Sequence, residues 1–314
     1  MLSLVLIAAC AVENDVSEIA PDPTVQEDTE TQGAYVYEDD GVAVEVDLDQ
    51  VVLALEDAAD QVLLVDPNLW IDAYQEAMAW EDYYCPYHYE DYLELYGYDY
   101  WYGGCQTEDG GSYDGYAYGY QYTEPVESGQ YTYWTYGWLS GELGIEHPDG
   151  AGLDLAGYFY ANDYQVGPNR YYYNQIDGSI RWLGEGFEGT WIAAGLSANL
   201  IVSGGYNEDT GTYLNLSGGL SGYDGESTAV WFDGVLMAQE SRGNDCEIEP
   251  SGTISVRQDN GTWVDVLFDG APYLGGEVFP AACDGCGEAW VDGAARGTVC
   301  PDLSVLTSWT KRPW

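Results

Sequence analysis

The cysteines near the C-terminal end are the residues whose spacing most resembles that of a chemical site. Cys283 and Cys286 are two residues apart, as in a zinc-ligand pair or a dithiol redox motif. A zinc ribbon would need a second close pair, but Cys246 and Cys300 each stand alone. A thioredoxin-like motif needs a strand-to-helix junction, which the glycine-rich flanks do not offer. The spacing therefore favours disulfide bonds over a metal or redox site.

The first ten residues bear on the compartment in which these cysteines fold. The apolar run over residues 2–9 is too short to span a bilayer as a helix, which takes about 20 apolar residues, and indicates a secretory signal. Residues 7–10, IAAC, resemble a bacterial lipobox, although no Lys or Arg precedes the run. The resemblance implies cleavage before Cys10, a lipid on Cys10 and, with Ala11 after it, export to the outer membrane or cell surface. The chain as a whole resembles the broad class of lipobox-bearing, disulfide-containing surface lipoproteins of Gram-negative bacteria.

Export would deliver the other six cysteines to an oxidising space, where disulfides form. Two of them are alone in the first half of the chain, and two others flank a turn-like Asp-Gly sequence and would face each other across a hairpin. The remaining two are then left for each other. The predicted pairs are Cys85–Cys105, Cys286–Cys300 and Cys246–Cys283.

Other signatures of catalysis are scarce. The chain has two histidines, His88 and His147, which are too few to favour a histidine-based triad or a multi-histidine metal site. It contains no nucleophile elbow, P-loop, zincin motif or dinucleotide fingerprint. Carboxylates are numerous enough to leave a two-carboxylate glycosidase open. No cofactor is predicted, apart from a structural calcium ion that acidic turns at 207–211 and 109–114 would allow.

The charge balance restricts the partners. Asp and Glu total 55 against seven Lys and Arg, which gives a net charge of −48. Such a chain repels phosphate backbones and anionic lipid surfaces, so nucleic acids are excluded and a membrane is approached only through the N-terminal lipid. Neutral glycans, cations, basic proteins and plain solvation remain, and the mutual repulsion of like charges favours a monomer.

Helical spacing occurs only before the tyrosine-rich part of the chain. Apolar residues recur every three or four positions from Leu48 to Leu63, which predicts an amphipathic helix. Asp66 and Pro67 suit the start of a second helix that ends near Asp82. Its inward-facing residues would be Trp70, Ala73, Tyr74, Ala77 and Met78.

Beyond residue 83 the spacing changes to alternation, with Gly and Asp between short runs of Tyr, Trp, Leu and Val. In residues 112–122 the four tyrosines at 116, 118, 120 and 122 fall on one face of a strand. The single glycines beside aromatic residues predict that a ring on a neighbouring strand lies across bare backbone. The pattern predicts a mainly β fold, an antiparallel meander forming an open curved sheet or a barrel, preceded by one or two amphipathic helices. The predicted strands are 130–139, 152–160, 170–182, 189–202, 211–220, 228–237, 252–258 and 262–268.

These inferences define a layout and two functional hypotheses. The layout is a signal peptide (1–9), a lipidated cysteine and disordered acidic tether (10–34), a helical segment that packs on the sheet (35–84) and a disulfide-stapled β domain (85–314). The first hypothesis is an exported, anchored lipoprotein with a non-catalytic binding or structural domain, with neutral glycans as a candidate ligand because of the 30 Tyr and 12 Trp. The alternative is a secreted, carboxylate-dependent carbohydrate-active hydrolase.

Overall fold

The structure is a computed structural model, and all the residues it describes belong to one compact unit that spans residues 37–314. The described ranges are 46–64, 67–88, 98–121, 126–188, 190–207, 211–221, 229–239, 246–270 and 283–308.

The described residues form one sheet of fourteen strands. The strands are β1 (Tyr98–Tyr102), β2 (Cys105–Gln106), β3 (Ser112–Gln121), β4 (Val126–Ser128), β5 (Tyr131–Glu146), β6 (Gly152–Val166), β7 (Asn169–Leu183), β8 (Leu196–Asn207), β9 (Gly211–Ser221), β10 (Ala229–Gln239), β11 (Cys246–Arg257), β12 (Trp263–Asp269), β13 (Gly287–Val291) and β14 (Ala294–Val299).

The sheet is a nearly continuous antiparallel meander. From β5 onward each strand pairs with the next strand along the chain, while β3 lies between β1 and β5 and the short strands β2 and β4 pair with β3 and β5. The path of pairing runs from β1 to β14 and does not close. The predicted mainly β antiparallel meander is therefore confirmed, and of the two forms predicted the structure is the open sheet.

One predicted strand was too long. Residues 189–202 were expected to be extended throughout, but Trp191–Ala194 form a single helical turn, α3, before β8 begins. The hydroxyl of Thr190 accepts a hydrogen bond from the backbone N–H of Ala193, and Gly195 ends the turn with a left-handed φ of 83°. A capping threonine and a C-terminal glycine stabilise a helical turn locally, and this signal outweighs the alternation of apolar residues around it.

The two predicted helices are present, as α1 (Leu48–Leu64) and α2 (Pro67–Met78), but α2 ends at Met78 and not near Asp82 as predicted. Asp47 caps α1, because its carboxylate accepts hydrogen bonds from the N–H groups of Asp49 and Gln50 at 3.1 and 3.3 Å. A fourth helix, the short α4 (Val305–Ser308), follows the sheet. Among the residues that the structure describes, no helix combines the length and the hydropathy needed to cross a membrane.

Both long helices pack on one face of the sheet, called here the inner face. Trp70 and Ile71 of α2 lie over Gly137 of β5, where an added Cβ would come within 3.2 Å of Trp70 Cη2 and 3.1 Å of Ile71 Cδ1. Leu48 of α1 comes still closer to Gly297 of β14, where an added Cβ would lie 2.8 Å from Leu48 Cδ1. Bare backbone at these positions lets the helices approach the strands, so the aliphatic side chains of the inner face are buried beneath them.

A glycine pair deforms the middle of the sheet. Gly157 of β6 lies directly opposite Gly178 of β7, with φ angles of 125° and 152°. A Cβ on Gly157 would lie 2.1 Å from the carbonyl oxygen of Asp177, and one on Gly178 would lie 2.0 Å from that of Ala156. The two strands therefore approach each other more closely here than any residue with a side chain would allow.

A chain of polar groups fixes α2 to β1. The buried hydroxyl of Tyr74 donates to Asp99 and accepts a hydrogen bond from the indole N–H of Trp101 at 3.0 Å. Nδ1 of His88 lies 3.1 Å from the other oxygen of Asp99, and Nε2 of His88 contacts Glu81. The hydrogen bonds to Asp99 and Glu81 raise the pKa of His88 to about 10, and burial raises the pKa of Tyr74 well above its ordinary value. At neutral pH the imidazolium of His88 therefore joins two carboxylates.

This arrangement predicts a pH-dependent contribution to stability. His88 is raised from an ordinary pKa of about 6.5, so its contribution is fully present below that pH and is lost as the pH rises through about 10. We expect His88→Gln to lower the free energy of unfolding at neutral pH by roughly 1–2 kcal/mol, after allowance for the partial exposure of the side chain. Thermal melts over the pH range should show the difference from wild type shrinking toward pH 10. Glu127→Gln, at an exposed position of β4, is the control, and a deficit independent of pH would contradict the assignment.

Candidate functional site

Two of the predicted disulfides are present. Cys85 and Cys105 are bonded, with their Cα atoms 5.6 Å apart. Cys286 and Cys300 are bonded across the β13–β14 hairpin, as predicted from the turn between them, with Cα atoms 4.0 Å apart. This separation is slightly shorter than the usual range of about 4.4–6.8 Å.

The remaining cysteines are described only in part. Cys283 is also disulfide-bonded, which leaves Cys246 or Cys10 as its partner. Cys246 is the first residue of β11, but its side chain lies outside the described residues, as does the whole of Cys10. The Cys246–Cys283 pair therefore stays a prediction. Because Cys283, Cys286 and Cys300 are all oxidised, their sulfurs are not available as thiolate ligands for the zinc site considered above.

A buried carboxylate holds the loop that contains the Cys-x-x-Cys sequence. Glu249 of β11 is 1% exposed, and its carboxylate accepts hydrogen bonds from the N–H groups of Asp269, Asp284 and Gly285 at 3.0, 3.0 and 3.2 Å. Burial raises the pKa of Glu249 above its ordinary value. This anchor fastens the loop to the ends of β11 and β12. Nothing in the sequence distinguished Glu249 from the many other acidic residues.

The disulfide assignment makes a prediction about stability. The Cys286–Cys300 bond closes a loop with a sequence separation of 14, for which the loss of loop entropy in the unfolded chain is worth about 3 kcal/mol. We expect the double variant Cys286→Ala, Cys300→Ala to lose about that much free energy of unfolding in denaturant titrations. Reductant should lower the melting temperature of wild type, whereas EDTA should not. A fall of similar size on adding EDTA would contradict the disulfide assignment.

The face of the sheet opposite the helices, called here the outer face, carries rows of aromatic side chains. On β3, Tyr116 and Tyr118 are 44% and 41% exposed, while Ala117 between them is buried. The predicted sharing of one face by the tyrosines is confirmed for these residues, and Tyr122 lies outside the described residues. The tyrosines face solvent, and small residues face the core.

Most neighbouring rings on this face meet edge to face. Tyr118 lies between Tyr100 and Trp138, with centroid separations of 5.7 and 5.0 Å and interplanar angles of 90° and 73°. Tyr160 contacts Tyr136 and Tyr173 at angles of 79° and 71°. Such pairs stabilise the sheet as cross-strand contacts. The rings around Tyr118 and Tyr160 therefore stand edge to face, whereas two neighbouring pairs are stacked, with interplanar angles of 23° for Tyr131–Tyr133 and 29° for Tyr164–Tyr171.

Further along the outer face, two exposed indoles border a depression of about 400 Å³, called here the tryptophan groove. Trp231 of β10 and Trp263 of β12 are 47% and 43% exposed. The groove is lined by both indoles and by polar or small residues of β7, β8, β9 and β10, among them Asp177, Ser197, Asn199, Gly219, Ser221 and Ala229.

The groove has a defined wall and a polar floor. Trp231 pairs with Gly219, and a Cβ added to Gly219 would lie 2.8 Å from Cε3 of Trp231, so the indole lies across bare backbone as predicted for glycines beside aromatic residues. Asn199 donates from its side-chain amide to Asp177 at 3.2 Å. Asp177 and Asn199 therefore form an exposed hydrogen-bonded pair, and the remaining acceptor and donor atoms of this pair are available in the groove.

A second depression, of about 590 Å³, lies at the β3 side of the outer face and is called here the acidic groove. Its lining includes the exposed carboxylates of Asp114, Glu142 and Asp154. Asp154 faces Arg181 across the β6–β7 pair, and Gly144 separates it from Asp114 across β5. Within the part of the chain that the structure describes, no three Asp, Glu, His or Cys side chains are grouped so as to hold a metal ion.

In the acidic turn at 109–114, the carboxylates are hydrogen-bonded to neighbouring residues of the same turn. Asp109 accepts hydrogen bonds from the hydroxyl of Thr107 and from the N–H of Gly111, and Asp114 accepts one from the N–H of Gly115. These carboxylates serve the local backbone. In the other acidic turn, residues 208–210 lie outside the described residues.

Both histidines have structural surroundings. His147 lies against the ring of Trp80, with centroids 4.5 Å apart, and its Nδ1 is 2.9 Å from Asp149. His88 belongs to the polar chain between α2 and β1. Neither residue lines the tryptophan groove or the acidic groove.

The sequence pointed to an aromatic surface without locating the tryptophan groove. Trp231 and Trp263 occupy alternating positions of predicted strands, which shows that they share a strand face with polar neighbours but not that they meet. Their proximity depends on the register of β9, β10, β11 and β12, which no local pattern encodes. No protein-family model, curated protein or solved structure matches this chain.

Proposed function

We propose that this chain is an exported lipoprotein, anchored through a lipid on Cys10, whose β domain binds neutral glycans without catalysis. The observation that carries the proposal is the tryptophan groove, in which two exposed indoles border an exposed Asp177–Asn199 pair.

The groove offers the two kinds of contact that a sugar requires. The face of a pyranose ring that carries C–H groups is apolar enough to pack on an indole, and its hydroxyls both donate and accept hydrogen bonds. Trp231 and Trp263 supply apolar area, and Asp177, Asn199 and Ser221 supply polar groups at the floor. Because the aromatic side chains are already held in place by the sheet, little conformational entropy is lost on binding.

The charge of the chain narrows the class of glycan. With a net charge of −48, the chain repels uronic acids, sulfated sugars and phosphorylated polymers. Neutral sugars approach without this penalty. The same charge keeps an anchored domain hydrated and apart from anionic surfaces.

The acidic groove supports a second candidate, a carbohydrate-active hydrolase. The Cα atoms of Asp114 and Asp154 lie two strand spacings apart, about 10 Å, which places two carboxylates in one groove, as a two-carboxylate glycosidase requires. All three carboxylates of the groove are solvent-exposed, however, whereas a glycosidase acid works in a partly desolvated setting. The non-catalytic function is therefore favoured.

The central prediction is that neutral glycans bind at the tryptophan groove. A glycan array should show retention of neutral polysaccharides, and Trp231→Ala should weaken it at least tenfold, because an interface aromatic is worth more than about 1.4 kcal/mol. Tyr83→Ala is the matched control, since Tyr83 is an exposed ring on the loop after α2. A hydrolysis panel run on the same glycans distinguishes the second candidate. Robust turnover that is lost in Asp114→Asn or Asp154→Asn would replace binding by catalysis.

Anchoring is tested separately. Full-length protein expressed in a Gram-negative host should enter the detergent fraction, and Cys10→Ser should release it or leave it unprocessed, because the lipid is attached through that thiol. Intact-mass measurement checks the modification directly. An unmodified N-terminus that still includes Met1 would refute lipidation.

A further inference from the structure

We infer that the ligand is an extended, uncharged polysaccharide that lies across the strands and occupies the tryptophan groove and the acidic groove together. The inference rests on the proposed function and adds the length and direction of the ligand.

The two grooves are lined by a single row of cross-strand neighbours on the outer face. In the register of the sheet each residue of the row is directly opposite the next. The row is Tyr116, Glu142, Ala156, Ser179, Ser197, Ser221 and Ala229. The first four residues line the acidic groove and the last three line the tryptophan groove. The grooves therefore meet where Ser179 of β7 faces Ser197 of β8, both exposed.

The adjacent row carries three rings beside this path. Tyr118, Tyr158 and Trp231 lie in register along it, each two residues along its strand from a residue of the first row, and Ser140, Asp177, Asn199 and Gly219 lie between them. Tyr116 stands at one end of the path, and Trp231 and Trp263 stand at the other. Rings at both ends and along one side, with small side chains between them, match a ligand that is long and narrow.

The span of the path sets the length of the ligand. From β3 to β10 the row crosses six strand spacings of about 4.8 Å each, which is about 29 Å. This length accommodates several sugar rings in a line, whereas a single sugar or a disaccharide would fill one groove only. The binding free energies from contacts in the two grooves should therefore add. Affinity should rise with the length of the polysaccharide until the path is full.

The charges along the path determine which polymer fits. Glu142, Asp114, Asp154 and Asp177 line the grooves, and Arg181, which faces Asp154, is the cation among the lining residues. A polymer with a carboxylate on every sugar would place its charges along this acidic surface and be repelled. An uncharged polymer meets acceptors for its hydroxyl groups instead.

The test is a chain-length series measured by calorimetry on the full-length protein in detergent. The probes are neutral linear oligosaccharides from dimer to hexamer, in β-1,4-glucose, β-1,4-N-acetylglucosamine, α-1,4-glucose and β-1,4-mannose series, with oligogalacturonate as the anionic counterpart. We expect one neutral series to gain at least about tenfold in affinity from dimer to hexamer, and oligogalacturonate not to bind.

Variants separate the two grooves. Tyr116→Ala removes the ring at the far end of the path, and Ser179→Trp fills the junction between the two grooves. Each should weaken binding of the hexamer about tenfold and leave binding of the dimer unchanged. Trp231→Ala should weaken both, and Tyr83→Ala neither. Ser179→Trp is an exposed strand substitution, and a thermal melt verifies its fold.

The outcomes distinguish the two levels of the proposal. Equal affinities for dimer and hexamer, or variants at Tyr116 and Ser179 that bind the hexamer like wild type, would overturn the extended site and leave glycan binding at the tryptophan groove intact. Tighter binding of oligogalacturonate than of the neutral series would overturn the uncharged class. A lack of binding by every neutral series, together with an empty glycan array, would refute the proposed function itself.

Discussion

Helix α2 packs Trp70 and Ile71 onto the bare backbone of Gly137, and this contact between helices and sheet determines what each face of the sheet does. An open sheet of this width has one face that its own helices can bury. The apolar side chains of the inner face, such as Phe159 beneath Trp70, supply the core. The outer face is then free of any packing requirement from the helices. Its aromatic side chains can therefore be selected for contacts with one another and with a ligand.

The two ends of the meander need separate fastening because an open sheet leaves its terminal strands with one neighbour each. At the first end, the Cys85–Cys105 disulfide and the chain from Tyr74 through Asp99 to His88 hold β1 and β2 to α2. At the last end, the Cys286–Cys300 disulfide joins β13 to β14, and Glu249 holds the preceding loop. These two disulfides therefore lie next to the terminal strands, which have a pairing partner on one side only.

The sequence predicted the helices and strands better than it predicted which side chains of distant strands come together. The helices from Leu48 and Pro67, the alternation of the strands and two disulfides follow from local spacing, because period and turn chemistry act within a few residues. The turn at Trp191–Ala194 was missed because a cap and an αL glycine outweighed alternation. Glu249 and the tryptophan groove could not be predicted, since each joins side chains through the register of distant strands. A composition rich in Tyr and Trp indicated an aromatic surface but gave no position on it.

The few positively charged side chains leave most acidic groups of the outer face exposed to solvent. Arg170 donates from Nε to the buried Asp163 at 2.9 Å and lies over the ring of Trp134 at 5.5 Å. This cation is thus committed to a carboxylate that burial would otherwise destabilise. Arg181 lies opposite Asp154 at the edge of the acidic groove. Arg181 is the single cation among the residues that line the two grooves, against four carboxylates. A ligand that replaces water there without bringing negative charge avoids electrostatic repulsion, and this supports the proposal of an uncharged sugar over a charged one.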